Sequence, residues 1–249
     1  MVHLAAPDSV RAAGLTAWPE AVGGTEPSAA ERTHAWVVGP GLDTDDAARP
    51  RLDAVLDAAV GRRGGAVVLD ASALELVTAA DLARLRAAGV QAVLTPHAGE
   101  WVHLTQRLGT APGGSHGEDL RSFAAATGAV VLLKGPQTLV AAPSGTLWCV
   151  RDGGPELAVA GTGDVLSGIL GAVLAAAVAR AERHGRTAVD GSDAAPVDGD
   201  RAAALAAAGA WLHAAGAARL ATRTLVRASG LHEGVADVLG DLWRGGPDR

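Results

Sequence analysis

The chain has 249 residues, a formal net charge of −6 and a hydrophobic content of 49%, while aromatic residues make up only 3%. This length suits one α/β domain with an ample core of Ala, Val and Leu side chains. The charge balance is acidic and no basic patch stands out in the sequence, which argues against a nucleic-acid groove. No basic start precedes an apolar N-terminal run, and the apolar run 165–179 is too short to cross a membrane, so we predict a cytoplasmic protein with no membrane partner. The single Cys149 permits no internal disulfide, and its apolar neighbours predict buried packing.

The predicted elements begin with a short strand at Val2–Ala6 and a helix that opens at Pro7-Asp8-Ser9. This helix ends before Pro19, because the residue before a proline disfavours helix. Four buried strands follow at Ala35–Val38, Ala66–Leu69, Val90–Leu94 and Ala129–Leu133. A β-hairpin comes next, at Leu139–Ala142 and Thr146–Val150. Helical patterns occupy 43–60, 78–88, 118–127, the run after Asp164, 201–220 and 231–243. The alternation of strands with helices favours a parallel sheet covered on both faces.

Glycine and polar residues follow the four buried strands at their carboxyl ends, where ligands bind in open parallel sheets. These segments are Gly39-Pro40-Gly41, Asp70, the run Thr95-Pro96-His97-Ala98-Gly99-Glu100, and Lys134-Gly135-Pro136-Gln137-Thr138. A tight turn, a helix cap and a structural histidine would account for the first three without any ligand. A lysine that ends a buried strand either extends to solvent or holds an anion.

The motif Gly161-Thr162-Gly163-Asp164 stands directly before a long apolar helix. Backbone N–H groups at a helix start have no partner within the helix and carry partial positive charge, so glycines there make room for an anion. Two compatible roles are open for Asp164. It caps the helix, or it is a general base that takes a proton from a hydroxyl as that hydroxyl attacks a phosphoryl group.

Five motifs, in this order, give the sequence a family resemblance: GPGLDTD at 39–45, VVLDASAL at 67–74, LTPHAGEWVHL at 94–104, LLKGPQTLVAAPSG at 132–145 and GTGDVLSGILGAVLA at 161–175. Over roughly residues 36–175 the chain resembles the ADP-dependent NAD(P)H-hydrate dehydratase family of the ribokinase-like superfamily. The resemblance implies a ribokinase-like three-layer αβα sandwich with a mostly parallel central sheet.

The resemblance also implies an activity and a set of site residues. Enzymes of this family use ADP to dehydrate hydrated NADH or NADPH, which gives AMP, phosphate and the restored dinucleotide. Asp164 is then the catalytic base, and Gly41, His97 and Asp164 bind the substrate. The implied nucleotide-binding residues are Lys134, Gly135, Pro136, Gln137, Thr138 and Gly163, and the implied anion hole is Gly161, Thr162 and Gly163. Mg²⁺ is the expected cofactor and ADP the co-substrate, and no residue is assigned as a metal ligand.

The chain also departs from the family pattern. Ser72 and Glu75 stand where the family commonly has an acid and an amide, and Ala160 stands where it often has glycine. We expect a single domain over 1–249, N-terminally shortened by the loss of a Gly-rich segment, with a flexible linker at 183–200. Two other functions stay open: a vitamin-precursor kinase of the same superfamily, and a non-catalytic nucleotide-binding remnant. The resemblance also favours a homo-oligomer.

Overall fold

A computed structural model describes residues 1–27, 33–43, 45–62, 64–109, 113–185 and 197–245. Within these ranges the strands are β1 (His3–Ala5), β2 (Val22–Gly24), β3 (Ala35–Val38), β4 (Ala66–Leu69), β5 (Gln91–Leu94), β6 (Val130–Leu133), β7 (Thr138–Ala141) and β8 (Leu147–Val150). The helices are α1 (Asp8–Ala17), α2 (Ala48–Arg62), α3 (Ser72–Leu76), α4 (Ala79–Ala87), α5 (Ala98–Arg107), α6 (His116–Thr127), α7 (Thr162–Gly185), α8 (Gly199–Ala221) and α9 (Leu231–Arg244).

The main sheet has six strands in the order β3-β4-β5-β6-β7-β8. The first four strands of this sheet run parallel, and β7 and β8 form the antiparallel hairpin that the sequence predicts. The central strands β4 and β6 are buried along their whole length. Each is a continuous apolar run of four residues, which is typical of strands covered on both faces of a parallel sheet. A separate parallel pair, β1 with β2, precedes the main sheet.

Alternate residues of each central strand point to opposite faces of the sheet, which creates two cores. Val67 and Leu69 belong to the core under α2, α4, α5 and α6, whereas Ala66 and Val68 belong to the core under α7 and α8. Helices therefore cover both faces, and the predicted three-layer αβα arrangement is confirmed.

Helix α7 packs tightly on the sheet. By length and composition alone, residues Thr162–Arg183 would suit a membrane span. Its residues Leu166, Leu170 and Leu174 are buried in the core on that side of the sheet. A Cβ at Gly171 would lie 2.5 Å from the side chain of Val37 on β3, so the backbones approach closely. The sheet therefore takes up much of the apolar surface of this helix.

Several sequence-based expectations need correction. The short elements β2 and α3 were not predicted. Cys149 is exposed rather than buried, because β8 is the outermost strand of the sheet. The predicted linker at 183–200 is too wide, since α7 continues through Gly185 and α8 begins at Gly199. The remainder of that linker, 186–196, lies outside the described residues.

Candidate active site

The carboxyl ends of β3, β4, β5 and β6 meet along one edge of the sheet. Backbone hydrogen bonds join them just beyond the strands: Asp70 N donates to Val38 O (3.1 Å), Thr95 N to Leu69 O (3.1 Å) and Lys134 N to Pro96 O (2.8 Å). The last bond belongs to a parallel bridge between His97 and Lys134. Segments that are far apart in the sequence are thus placed side by side.

Gly39 lies where the loop after β3 touches the loop after β4. Its φ is +124°, and a Cβ there would lie 1.7 Å from the carbonyl oxygen of Asp70, so only glycine fits. Gly41 has a φ of +71° but faces open space, with no heavy atom within 4 Å of a Cβ position. Gly41 therefore leaves an open surface beside the strand ends, as a ligand-lining role would need.

Asp70 is a buried carboxylate at the centre of this edge, with only 1% of its surface exposed. Its Oδ1 accepts from Lys134 Nζ at 2.7 Å, and its Oδ2 accepts from Ser167 Oγ at 2.6 Å. Asp70 thereby ties the end of β6 to α7. Sequence reasoning missed Ser167, although a hydroxyl one turn after Asp164 on a helix rich in leucine was a visible signal.

The side chain of Lys134 extends from the end of β6 to the start of α7. A Cβ at Gly163 would be 3.7 Å from its Nζ, and Glu100 Oε2 lies 3.7 Å from the same atom. The ammonium group is thus shared between two carboxylates, with 20% of the lysine side chain exposed. The bond to Asp70 fixes the charge near Gly163 rather than leaving it free in solvent.

The predicted nucleotide-binding loop follows Lys134 as the turn of the β6–β7 hairpin. Gly135, Pro136 and Gln137 are exposed, and the Thr138 hydroxyl donates to Gly135 O at 3.4 Å. The loop therefore lies at the same sheet edge as the other predicted site residues, with its backbone accessible.

His97 is the N-cap of α5. Its Nδ1 accepts from the backbone N–H groups of Gly99 (3.0 Å) and Glu100 (3.1 Å). Glu100 Oε2 in turn accepts from His97 N at 2.7 Å, which completes a capping box, so Glu100 supports this loop. Because Nδ1 is an acceptor here, the ring proton resides on Nε2. The ring is 59% exposed, and its Nε2 lies 3.6 Å from Glu100 Oε1, so its proton is available beside that carboxylate.

The motif from Gly161 to Asp164 forms the first turn of α7. The helix begins at Thr162, and the Asp164 carboxylate accepts no hydrogen bond from the described residues, so its interpretation as a helix cap is wrong. The side chain is exposed instead. Among residues 161–164, the N–H groups of Gly161, Gly163 and Asp164 have no acceptor within the described part of the chain.

Thr162 does not contribute its N–H group to the predicted anion hole. The N–H donates to Val159 O at 3.3 Å, and the hydroxyl donates to the carbonyl oxygens of Leu157 and Val159, both at 2.8 Å. Thr162 is buried and fixes the loop before the helix, so the free donors belong to the residues on either side of it.

A magnesium ion would depend here on phosphate ligands. Within the described residues, no group of three or more His, Cys, Asp or Glu side chains could hold a metal ion. Mg²⁺ at phosphoryl-transfer sites usually binds one or two carboxylates together with phosphate oxygens and water. Glu100 Oε1 fits that pattern: it accepts no hydrogen bond from the described chain, and His97 Nε2 lies 3.6 Å away.

Comparison with known proteins identifies the family of this chain. A family model described as NAD(P)H-hydrate dehydratase matches residues 1–233. The chain belongs to this family.

Two relatives show how much of their length the chain covers. The bifunctional NAD(P)H-hydrate repair enzyme Nnr of Mycobacterium tuberculosis is 42% identical to the chain over 169 residues, or 68% of this chain and 34% of that protein. The ADP-dependent (S)-NAD(P)H-hydrate dehydratase of Neisseria meningitidis is 36% identical over 213 residues, or 84% of this chain and 64% of that protein. The chain thus spans between one third and two thirds of the length of these relatives.

Solved structures show the same fold for this family member. The ADP/ATP-dependent NAD(P)H-hydrate dehydratase from Bacillus subtilis, co-crystallised with ATP and Mg²⁺, matches with a TM-score of 0.70 and 24% identity, and the match covers 96% of this chain and 78% of that chain. A ribokinase-like superfamily protein from Enterococcus faecalis matches with a TM-score of 0.62 and 20% identity, over 90% of this chain and 70% of that chain. The predicted ribokinase-like fold is confirmed.

Proposed function

We propose that this chain catalyses the ADP-dependent dehydration of hydrated NADH or NADPH, with AMP and phosphate as the other products. One observation carries the proposal: the first turn of α7 combines the exposed Asp164 carboxylate, which has no partner among the described residues, with free N–H groups and with the Lys134 ammonium group next to Gly163. A base, an anion hole and a fixed cation together suit phosphoryl transfer to an alcohol.

The chemistry assigns Asp164 the first proton transfer. Its carboxylate takes the proton of the substrate hydroxyl while the hydroxyl oxygen attacks the β-phosphorus of ADP, and the bond from that phosphorus to the AMP oxygen breaks. The phosphorylated carbon then loses phosphate as the C–O bond breaks, with a proton lost from the ring, and NAD(P)H is restored. Hydroxide is a poor leaving group and phosphate a good one, which explains the need for ADP.

The other site residues bind and orient. The N–H groups of Gly163 and Asp164 face the transferring phosphoryl group, and Lys134 with the turn Gly135–Thr138 holds the nucleotide. Glu100 is the residue that would hold Mg²⁺, which would supply positive charge to offset the charge of the ADP phosphates. His97, with its proton on Nε2, donates to the hydrated nicotinamide, and Gly41 lines that side of the site.

A comparison of carboxylate variants tests the assignment. With purified chain, ADP, Mg²⁺ and hydrated NADH, we expect Asp164→Asn to lower kcat by about 10²–10⁴-fold, because general base catalysis contributes on this order. Glu233→Gln removes another exposed carboxylate, on α9, and should keep the full rate. No turnover by the unaltered chain would refute the proposed function, whereas full turnover by Asp164→Asn would refute only the role of the base.

A further inference from the structure

His213 is a buried polar residue of α8 that contacts the first turn of α7. Only 6% of its surface is exposed, and its Nε2 lies 2.9 Å from the carbonyl oxygen of Thr162. A backbone carbonyl can only accept, so the ring donates through Nε2–H. The sequence suggests only a structural role for this histidine, because nothing in its spacing connects it with residue 162.

The bond has a geometric consequence for the anion hole. Thr162 C=O and Gly163 N–H belong to the same planar, trans peptide unit, so they point in opposite directions. A hydrogen bond that holds the carbonyl toward α8 therefore turns the Gly163 N–H away from α8. That N–H has no acceptor within the described residues, and a Cβ at Gly163 would lie 3.7 Å from Lys134 Nζ.

Other contacts fix the loop before this peptide. Thr162 is the first residue of α7, so the helix also engages this carbonyl, but helix ends fray and the bond from His213 anchors this first turn. The Thr162 hydroxyl binds the carbonyls of Leu157 and Val159, and Gly161 packs against Ala228. Burial lowers the pKa of His213 more than its bond to Thr162 raises it, so the ring is neutral near pH 7. A neutral ring with its proton on Nε2 is a constant donor at this pH.

We propose that His213 is a positioning residue: it orients the Thr162–Gly163 peptide so that the Gly163 N–H points at the phosphoryl group in transfer. The inference rests on the proposed function and adds to it a residue outside the motifs of the site. Loss of one donor in a comparable anion hole lowers kcat by about 10²–10³-fold. Since a misaimed donor keeps part of its effect, we expect a loss of about 10–100-fold when His213 no longer donates.

The test compares three variants in the dehydratase assay. His213→Leu removes the donor and keeps most of the volume, His213→Gln restores an N–H near the position of Nε2, and His213→Asn offers a similar amide that is too short. We expect His213→Leu and His213→Asn to lose about 10–100-fold in kcat with KM for the hydrated nucleotide changed less than about 3-fold. His213→Gln should recover to within about 5-fold of the unaltered chain.

The outcomes separate positioning from packing. Folded His213→Leu with a kcat within about 2-fold of the unaltered chain would overturn the proposal, as would equal losses in His213→Gln and His213→Asn. If His213→Leu fails to fold, the Gln and Asn pair alone decides. ADP binding by calorimetry gives a readout that does not need turnover: His213→Asn should bind more weakly than His213→Gln. If the unaltered chain shows no turnover but His213→Asn still binds ADP more weakly than His213→Gln, the proposed reaction is refuted and the positioning role stands.

Discussion

Gly39 is the residue at which the candidate site tolerates a side chain least. A methyl group there would overlap the carbonyl oxygen of Asp70, and its φ of +124° already disfavours any other residue. We expect Gly39→Ala to lower the free energy of unfolding by about 3 kcal/mol or more, measured by urea denaturation. Gly41→Ala is the matched control: it has a positive φ but open space, and should cost only about 1 kcal/mol. Equal costs would show that the loops are not in contact.

Ala71 shows the reverse case from Gly39: its backbone conformation suits glycine better than the alanine that is present. It is the one described non-glycine residue with a positive φ (47°), and its ψ is −128°. This conformation directly follows Asp70, whose carboxylate is held by Lys134 and Ser167. We expect Ala71→Gly to raise the free energy of unfolding by about 1 kcal/mol, since relief of strain exceeds the added freedom of the unfolded chain. A loss of stability in the same urea experiment would argue against the strained turn.

At the scale of an element, the start of α4 is held by a capping box that makes stability depend on pH. Burial raises the pKa of Asp81, but hydrogen bonds from Arg49 and Thr78 outweigh burial, and the pKa lies below its usual value. The unfolded chain therefore binds this proton more tightly than the folded one. The stability that Asp81 contributes is complete above the unfolded pKa of about 3.9 and is lost as the pH falls through the lower folded pKa.

Because the lowered pKa of Asp81 stabilises the folded state only above low pH, a substitution of Asp81 should have a pH-dependent effect. Asp81→Asn should lower the free energy of unfolding at pH 7 by about 1–2 kcal/mol, because Arg49 loses a carboxylate that it binds through both of its terminal nitrogens. The difference from the unaltered chain should shrink below about pH 4. Urea unfolding at pH 7, 5 and 3 measures it, with the exposed Asp57→Asn as a control that should show little effect at any pH. A constant difference at all three values would contradict the linkage.

Local sequence signals predicted the elements well where they were strong. The strands β3 and β4 have the predicted bounds, and α4 with its cap Thr78 spans nearly the whole predicted helical pattern 78–88. The strand β2 contains two glycines in three residues, and α3 is a single turn, so neither carries a periodic pattern. Cys149 shows the other limit: an apolar run predicts a strand, but only tertiary structure decides whether that strand lies at an edge.

At the scale of the whole molecule, the order of the strands decides what the motifs do. The sequence predicted that ligand-binding segments follow the strands, and the parallel sheet brings those ends to one edge. It could not predict which side chains meet there. Lys134 and Asp70 are 64 residues apart, and Ser167 and Asp70 are 97 apart. No local spacing encodes these pairings, so Lys134 looked like a free phosphate ligand when it is an ion-paired one.

This shared site makes a prediction for the stability of the whole chain. A ligand that binds only the folded state, at 100 times its Kd, adds about 2.7 kcal/mol, which for a domain of this size raises Tm by roughly 5–10 °C. We expect ADP with Mg²⁺ to produce such a rise in Tm, measured by calorimetry.

Lys134→Met leaves the buried Asp70 carboxylate without its cation, so the ligand-free variant should unfold at a lower temperature. Each variant is therefore compared with its own ligand-free Tm, and the ADP-induced shift should fall by at least half in Lys134→Met. Arg121→Gln is the control, since Arg121 contacts the loop between β7 and β8 rather than the strand ends, and it should keep the full shift. An undiminished shift in Lys134→Met would mean that ADP binds away from the edge where β6 meets α7.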